Sequence, residues 1–221
     1  MLPRTGLLCV SVAAALWIAC GAVTAAQAAE ERNRLPHLVL FLSDDHGAAD
    51  AGCYGNPDVR TPHLDRLAEE GLRFERAYCA SPSCTPSRSA LFTGLMPARN
   101  GAHPNHSSVR EGTRSLPHYL GPLGYRTVLF GKNHVSPRSA FPFEYVEGRI
   151  APAGPDQGSS LDTDALEQLL AAHDPNVPLC LIVNSWSPHI PWPENDGYDP
   201  AQIGLPPRSV DTPESRKARA R

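Results

Sequence analysis

The sequence lacks the features that mark several large classes of protein. Only six of its 221 residues are cysteines, which is too few for a disulfide scaffold, and no Cys/His spacing resembles a zinc site. The formal net charge of −3 is too small to indicate nucleic acid as a partner. No internal repeat is present. These absences leave an ordinary globular domain, and its function has to be inferred from particular residues.

The sequence has one long apolar run, at its N-terminus. Leu7 to Ala19 carries no charge, and residues 26–28 read Ala-Gln-Ala, a small-residue cleavage site. Because the run is too short to span a bilayer, we predict a signal peptide at residues 1–28, export to the periplasm or medium, and no stable membrane insertion. A lipoprotein anchored through Cys20 is an alternative, although Trp17 stands where a lipobox has leucine.

The apolar pattern of the remaining residues predicts an α/β fold. His37–Leu42 and Leu179–Val183 are continuous apolar runs, as in strands that are buried on both faces, and Thr127–Phe130 is a third strand. Leu72–Tyr78 alternates like a further strand. Helices are predicted at 61–71, 84–94, 116–123 and 162–172, with another opening at Thr212. Strands that alternate with helices indicate a mostly parallel sheet with helices on both faces.

The helix at 61–71 shows the local signals most fully. Thr61 precedes it as a cap, Pro62 occupies its first turn and Gly71 ends it. Leu64 and Leu67, with an alanine beside them, form its apolar stripe. The stretch from 151 to 160, rich in Ala, Pro, Gly and Ser, is predicted to be a loop.

Polar side chains follow three of the predicted strands. Asp44 and Asp45 come after the first, Lys132 and His134 after the strand that ends at 130, and His189 after the strand that ends at 183. Ligands bind outside the carboxyl ends of strands in open α/β sheets, so these groups fall where a site is expected. Taken singly, each is explained as well by a solvated turn or a surface loop.

The most informative motif is Cys84-x-Pro86-x-Arg88, which continues into Ser-Ala-Leu-Phe-Thr-Gly-Leu. The three fixed positions alone would occur by chance in a chain of this size about one time in a hundred. A structural or disulfide cysteine is the simpler alternative, since Cys79 lies five residues upstream. The extended motif nevertheless resembles the signature of the type I sulfatases.

That resemblance implies an alkaline-phosphatase-like fold and a specific chemistry. In this family the cysteine that corresponds to Cys84 is oxidised to formylglycine by a formylglycine-generating enzyme. One hydroxyl of the aldehyde hydrate attacks sulfur, and the other later expels sulfate. The substrate is a sulfate ester or N-sulfate, here expected to be that of a sugar or glycosaminoglycan.

The resemblance also assigns roles to the polar residues. Asp44 and Asp45, together with the residue derived from Cys84, match the ligands of the family's Ca²⁺, and carboxylate oxygens suit this hard cation. Arg88 matches the arginine that anchors formylglycine. Lys132 and His134 match a Gly-Lys-x-His segment that contacts sulfate and formylglycine.

The two histidines are expected to act in proton transfer. We assign His134 as the base in sulfate release and His189 to protonation of the leaving group or sulfate binding. The nearest branch is the sulfamidases, or heparan N-sulfatases. The similarity lies in Gly131–Val135 with Pro137, in Phe141–Phe143 and in Asp211–Glu214.

One part of the family pattern is missing. The resemblance is strongest from Leu35 to His134, and no Asp-Asn pair of the kind that completes the family's calcium site follows His189. We therefore expect residues 29–221 to be the N-terminal part of a catalytic domain whose sheet is truncated. Three functions remain open: a sulfatase, a phosphate or phosphonate ester hydrolase of the same superfamily, and an inactive truncated remnant.

Overall fold

The computed structural model describes residues 35–150, 160–189, 197–206 and 209–220. The predicted signal peptide lies outside these residues. The chain divides into two units, residues 1–37 and 38–221. Only 35–37 are described in the first unit, and the fold given below is that of the second.

The described residues form strands and helices in α/β alternation. The strands are β1 (Leu38–Leu42), β2 (Arg126–Gly131), β3 (Glu144–Val146), β4 (Arg149–Ile150), β5 (Ser160–Leu161) and β6 (Leu179–Asn184). The helices are α1 (Pro62–Glu70), α2 (Cys84–Thr93), α3 (Pro97–Asn100), α4 (Leu116–Leu120), α5 (Thr163–Ala171) and α6 (Pro213–Arg219).

Four strands form one parallel sheet in the order β1-β6-β2-β3, and β4 pairs with β5 in a separate antiparallel ribbon. All six residues of β6 are buried, as expected for a central parallel strand made of Leu, Cys, Ile, Val and Asn. In register, Phe41 of β1 and Phe130 of β2 both lie opposite Val183 of β6. The carboxyl ends of β1, β2 and β6 therefore meet at one edge.

Helices cover both faces of the sheet, which confirms the predicted fold class. On one face, Phe92 of α2 and residues of α4 pack with Leu129 and Ile182. On the other face, Leu166 and Leu169 of α5 pack with strand residues. No helix in the described parts of the chain is long and apolar enough to cross a membrane.

The sequence predicted the boundaries of several helices well. Gly94 takes a left-handed conformation after α2, with φ of 68°, and its N–H bonds the carbonyl of Ala90. Asp162 caps α5 through its carboxylate, which accepts from the N–H of Ala165 at 2.9 Å. Thr212 caps α6 in the same way.

The prediction that β1 is buried on both faces is wrong. Leu40 and Leu42 pack on the core, whereas Val39 is 55 % exposed and Phe41 70 % exposed. The reason is that β1 lies at the edge of the sheet, and α5, which covers that face elsewhere, packs on residues of β2 and β6.

Residues 72–78 are not a strand, contrary to the alternation of their side chains. All of them are exposed, and they form neither helix nor strand. They contact the segment around Tyr54 instead: the hydroxyl of Tyr54 donates to the carbonyl of Phe74 at 2.9 Å. The stripe of α1 is exposed as well, with Leu64 and Leu67 at the surface. Alternation gives a segment one apolar face, but a strand also requires a neighbour with free backbone groups.

Candidate active site

Asp44 is the centre of a buried group of charges. It lies two residues after the end of β1, its side chain is 4 % exposed, and its N–H donates to the carbonyl of Ser187 at 3.1 Å. Arg88 donates through Nη2 to Oδ1 of Asp44 at 3.3 Å, and Lys132 donates through Nζ to Oδ2. A backbone tie and two cations therefore fix one carboxylate at the carboxyl end of β1. We call Asp44, Arg88 and Lys132 the charge cluster.

Cys84 is the first residue of α2 and lies against this cluster. Its Sγ is 3.7 Å from Oδ1 of Asp44 and 3.8 Å from Nζ of Lys132. The turn is tied to a neighbouring loop, because the N–H of Thr85 donates to Oδ1 of Asn105 at 3.1 Å. The motif cysteine is a free thiol that faces one anion and one cation, and it forms no disulfide with the other described cysteines.

Burial and neighbouring charges shift the pKa values of Asp44 and Cys84 in opposite directions, down for Asp44 and up for Cys84. Burial alone would raise the pKa of Asp44, but the hydrogen bond and charge of Lys132, with the charge of Arg88, hold it below its ordinary value. Burial raises the pKa of the Cys84 thiol, and the negative charge of Asp44 raises it further. At neutral pH the carboxylate is therefore ionised while the thiol keeps its proton.

Lys132 owes its position to the glycine before it. Gly131 ends β2 with φ of 90°, and a Cβ there would lie 2.2 Å from the carbonyl oxygen of Asn184. The N–H of Lys132 donates to that same carbonyl at 3.1 Å, and Nδ2 of Asn184 donates back to the carbonyl of Lys132 at 2.6 Å. Only glycine allows this close approach of the backbones.

His189 brings the third strand end into the site. Its Nε2 lies 3.7 Å from Oδ2 of Asp45, whose side chain is 60 % exposed. One ligand atom each from Asp44, Cys84 and His189 lies within 4.8 Å of the others. The two adjacent aspartates therefore differ: Asp44 pairs with the two cations of the charge cluster, while Asp45 is exposed and lies near His189.

His134 contacts His106, a residue outside the motifs of the sequence. Its Nε2 lies 2.8 Å from Nδ1 of His106, and the two ring centroids are 4.6 Å apart. Both residues adopt left-handed backbone conformations, with φ of 46° and 61°. Burial lowers the pKa of His134, and the charges of Lys132 and His106 lower it further.

The sequence matches the family described as Sulfatase over residues 36–209. This chain belongs to the sulfatase family. Among its relatives, an ulvan-active sulfatase of Formosa agariphila is 34 % identical over 197 residues, which are 84 % of this chain and 39 % of that protein. Human N-sulphoglucosamine sulphohydrolase is 40 % identical over 119 residues, which are 52 % of this chain and 24 % of that protein.

A solved structure in complex with D-glucosamine-2-N,6-O-disulfate superposes with a TM-score of 0.59 and 26 % identity. The match covers 70 % of this chain and 35 % of that one. The chain spans less than half the length of each of these three proteins. The family and its alkaline-phosphatase-like fold, both predicted from the sequence, are confirmed.

Within this sulfatase-family site, the predicted residues are brought together with two differences from expectation. Arg88 contacts Asp44 and, through Nη1 at 3.5 Å, the carbonyl of Lys132, whereas its expected contact is the residue at 84. His189, assigned to leaving-group protonation or sulfate binding, lies in the group of potential metal ligands.

His106 and Asn105 were missed because nothing local marks them. They lie in a His/Asn/Pro-rich loop between two short helices, where histidines are ordinarily surface residues. Their signal is tertiary: the N–H of His106 donates to the hydroxyl of Thr85 at 3.2 Å, which places the loop beside the first turn of α2.

Proposed function

We propose that the protein carrying this chain is a sulfatase that hydrolyses sulfate esters or N-sulfates of sugars. The observation that carries the proposal is the position of Cys84, at the first turn of a buried helix and in contact with both Asp44 and Lys132. The named substrates of its relatives, ulvan and N-sulphoglucosamine, support a sulfated carbohydrate as the substrate class.

We further propose that Cys84 is converted to formylglycine by a formylglycine-generating enzyme. The Cys-x-Pro-x-Arg motif supports this conversion. Burial and Asp44 raise the pKa of the Cys84 thiol, so the unconverted residue would be a poor nucleophile at neutral pH. The hydrated aldehyde would supply an oxygen nucleophile that does not depend on thiol ionisation.

The charge cluster would act on the transferred sulfate through its cations. Lys132 lies next to Sγ of Cys84, so its ammonium stands close to where negative charge develops during transfer. Arg88 holds Asp44 and the backbone of Lys132, and thereby fixes the geometry. His134 and His189 are the groups proposed to move protons, with His134 kept largely neutral by its lowered pKa.

Calcium is the proposed cofactor, held by Asp44, Asp45 and the residue derived from Cys84. The present donors fit an oxygen-preferring cation in part: they offer two carboxylates, one sulfur and one imidazole. Replacement of the sulfur by an oxygen would bring the set closer to the preference of calcium. When bound, the ion would polarise sulfate oxygens.

The proposed location of the protein is outside the cytoplasm, in the periplasm or the medium. The sequence pattern of residues 1–28 supports export through a signal peptide. The partners proposed are a sulfated carbohydrate and, during maturation, the formylglycine-generating enzyme.

The test is to co-express the protein with a formylglycine-generating enzyme and to follow Cys84 and turnover together. Mass spectrometry of the peptide should show conversion of thiol to aldehyde. The converted protein should release sulfate from N-sulfated glucosamine faster than phosphate from phosphate or phosphonate esters. Cys84→Ala is the control. Release of phosphate in preference to sulfate would identify a phosphohydrolase, and an active modifying enzyme that leaves Cys84 unchanged would count against the proposal.

A further inference from the structure

A cavity of about 620 Å³ opens beside the catalytic residues and extends past them. Lys132, His134 and His189 line it, so it is continuous with the site of sulfate transfer. Its volume falls within the range of roughly 300 to 1,000 Å³ that is typical of ligand pockets. A sulfate group alone fills only a small part of that space, so most of the cavity is available to the rest of a substrate.

The rest of the cavity is rich in positive charge. Arg138 and Arg149 line it together with Lys132, and Glu147 is the one acidic residue among its described lining residues. Lys132 is already paired with Asp44. The cavity therefore has excess positive charge away from the residues of the charge cluster, which favours an anionic ligand.

Arg138 is held by an aromatic ring. Its guanidinium lies 4.0 Å from the ring centroid of Tyr145, and the described ion pairs include no carboxylate bound to Arg138. Tyr145 is itself fixed, since its hydroxyl donates to the carbonyl of Phe141 at 2.6 Å and its ring packs edge-on against Phe143. Stacking orients the guanidinium while leaving its N–H groups able to bind oxygens.

A second arginine of the cavity also lies near an aromatic ring. Arg149 lies with its guanidinium 5.7 Å from the ring centroid of Trp186, on the other strand-end loop of the site. Trp186 also lines the cavity, and it lies three residues before His189. The cavity is thus lined by both aromatic rings and arginines, as suits a ligand with apolar ring faces and anionic substituents.

We propose that this cavity binds the sugar and that Arg138, assisted by Arg149, recognises a second anionic group of the substrate. That group, a sulfate or a carboxylate, is distinct from the sulfate that is hydrolysed. The proposal rests on the proposed function and adds a specificity determinant to it: the preferred substrates carry two or more negative charges.

Binding measured on the Cys84→Ala protein tests this without dependence on turnover. By calorimetry, glucosamine-2-N,6-O-disulfate should bind more tightly than glucosamine-N-sulfate. Arg138→Gln should weaken binding of the disulfated sugar about tenfold, the effect of losing one charge-assisted hydrogen bond, and should weaken the monosulfated sugar much less. A monosulfated disaccharide that carries a uronate tells whether the second anion is a sulfate or a carboxylate.

Arg114→Gln is the matched control, because Arg114 also stacks on a tyrosine, at 4.9 Å from the ring of Tyr119, but does not line the cavity. It should leave the preference between the two sugars unchanged. Equal weakening of both sugars by Arg138→Gln would overturn the proposal, because it would show a purely structural role for the arginine. Equal binding of both sugars by the Cys84→Ala protein would also overturn it, and so would binding of neither.

Turnover separates this inference from the proposed function. If converted protein cleaves both sugars with the same kcat/KM, the sulfatase function stands and the second-anion site is wrong. If it cleaves neither sugar, yet binds the disulfated one more tightly through Arg138, the anion site stands and the proposed activity is wrong.

Discussion

The two sides of the site are built on different principles. On one side, the charge cluster of Asp44, Arg88 and Lys132 is largely buried, and its one carboxylate is paired with both cations. On the other, the open side, His134 meets His106 and Arg138 stacks on an aromatic ring, with cations facing a cavity. The buried side therefore fixes the positions of its side chains, but loss of any one partner should disturb the others. The open side keeps its groups available to a ligand.

The largest effect that distinguishes the two sides should come from Arg88. Arg88→Ala removes the hydrogen bonds of a buried guanidinium to Asp44 and to the carbonyl of Lys132 and leaves a cavity. Although Lys132 still pairs with Asp44, these losses should lower the free energy of unfolding by about 3–5 kcal/mol. Arg114→Ala at the exposed surface should change it by no more than about 0.5 kcal/mol. Urea unfolding followed by circular dichroism measures both. Equal effects would show that the cluster is not a structural unit.

A smaller loss is expected from the backbone contact that positions Lys132. Gly131 and Gly124 have nearly the same φ, 90° and 88°, but only at Gly131 does an added Cβ meet backbone, the carbonyl of Asn184. Both alanine variants incur the strain of a positive φ, about 1–2 kcal/mol. Gly131→Ala should cost about 1–3 kcal/mol more than Gly124→Ala in the same unfolding assay, because of the clash. Equal losses would mean that the strand ends separate easily.

The sequence predicted most of what local signals can encode. Buried strands of apolar β-branched residues and helices with Pro in the first turn and Gly after the last were found close to their observed bounds. The prediction failed where the structure depends on neighbouring elements. Phe41 is apolar, as core residues are, but it lies in an edge strand and is exposed. Residues 72–78 alternate between apolar and polar side chains but have no strand to pair with among the described residues.

For the candidate site, too, the positions of residues could be predicted from local signals, but their contacts could not. Strand ends placed Asp44, Lys132 and His189 at one edge of the sheet, because parallel strands bring their carboxyl ends together. The partner of each group could not be predicted, since the contact between His134 and His106 joins loops 28 residues apart. Such a contact depends on two left-handed backbone turns for which the sequence gives no periodic signal.

The thiol of unconverted Cys84 reports on the charge balance of the buried side. Asp44→Asn removes the anion that raises the pKa of this thiol and frees Lys132, whose charge lowers it. The pKa of Cys84 should therefore fall, and alkylation by iodoacetamide near neutral pH should become several-fold faster in the presence of a chelator. Peptide mass spectrometry measures the rate against pH, with Cys180, buried in the core, as the internal reference. A slower or unchanged rate at Cys84 would contradict the electrostatic account.

The smallest effect is expected on the open side, at His106. Burial lowers the pKa of His134 most, the charge of Lys132 comes next, and the charge of His106 adds to both. His106→Ala removes that last repulsion, so the pKa of His134 should rise toward its ordinary value, and the imidazole should take up its proton at a higher pH. NMR titration of the His134 ring measures the shift directly. His106→Gln, which keeps a side-chain amide at the position of the 2.8 Å contact but carries no charge, should raise the pKa in the same direction. A pKa of His134 that falls in both variants would show that hydrogen bonding to His106, rather than its charge, controls this base, and the contrast between a compensated buried side and a tunable open side would then fail at this residue.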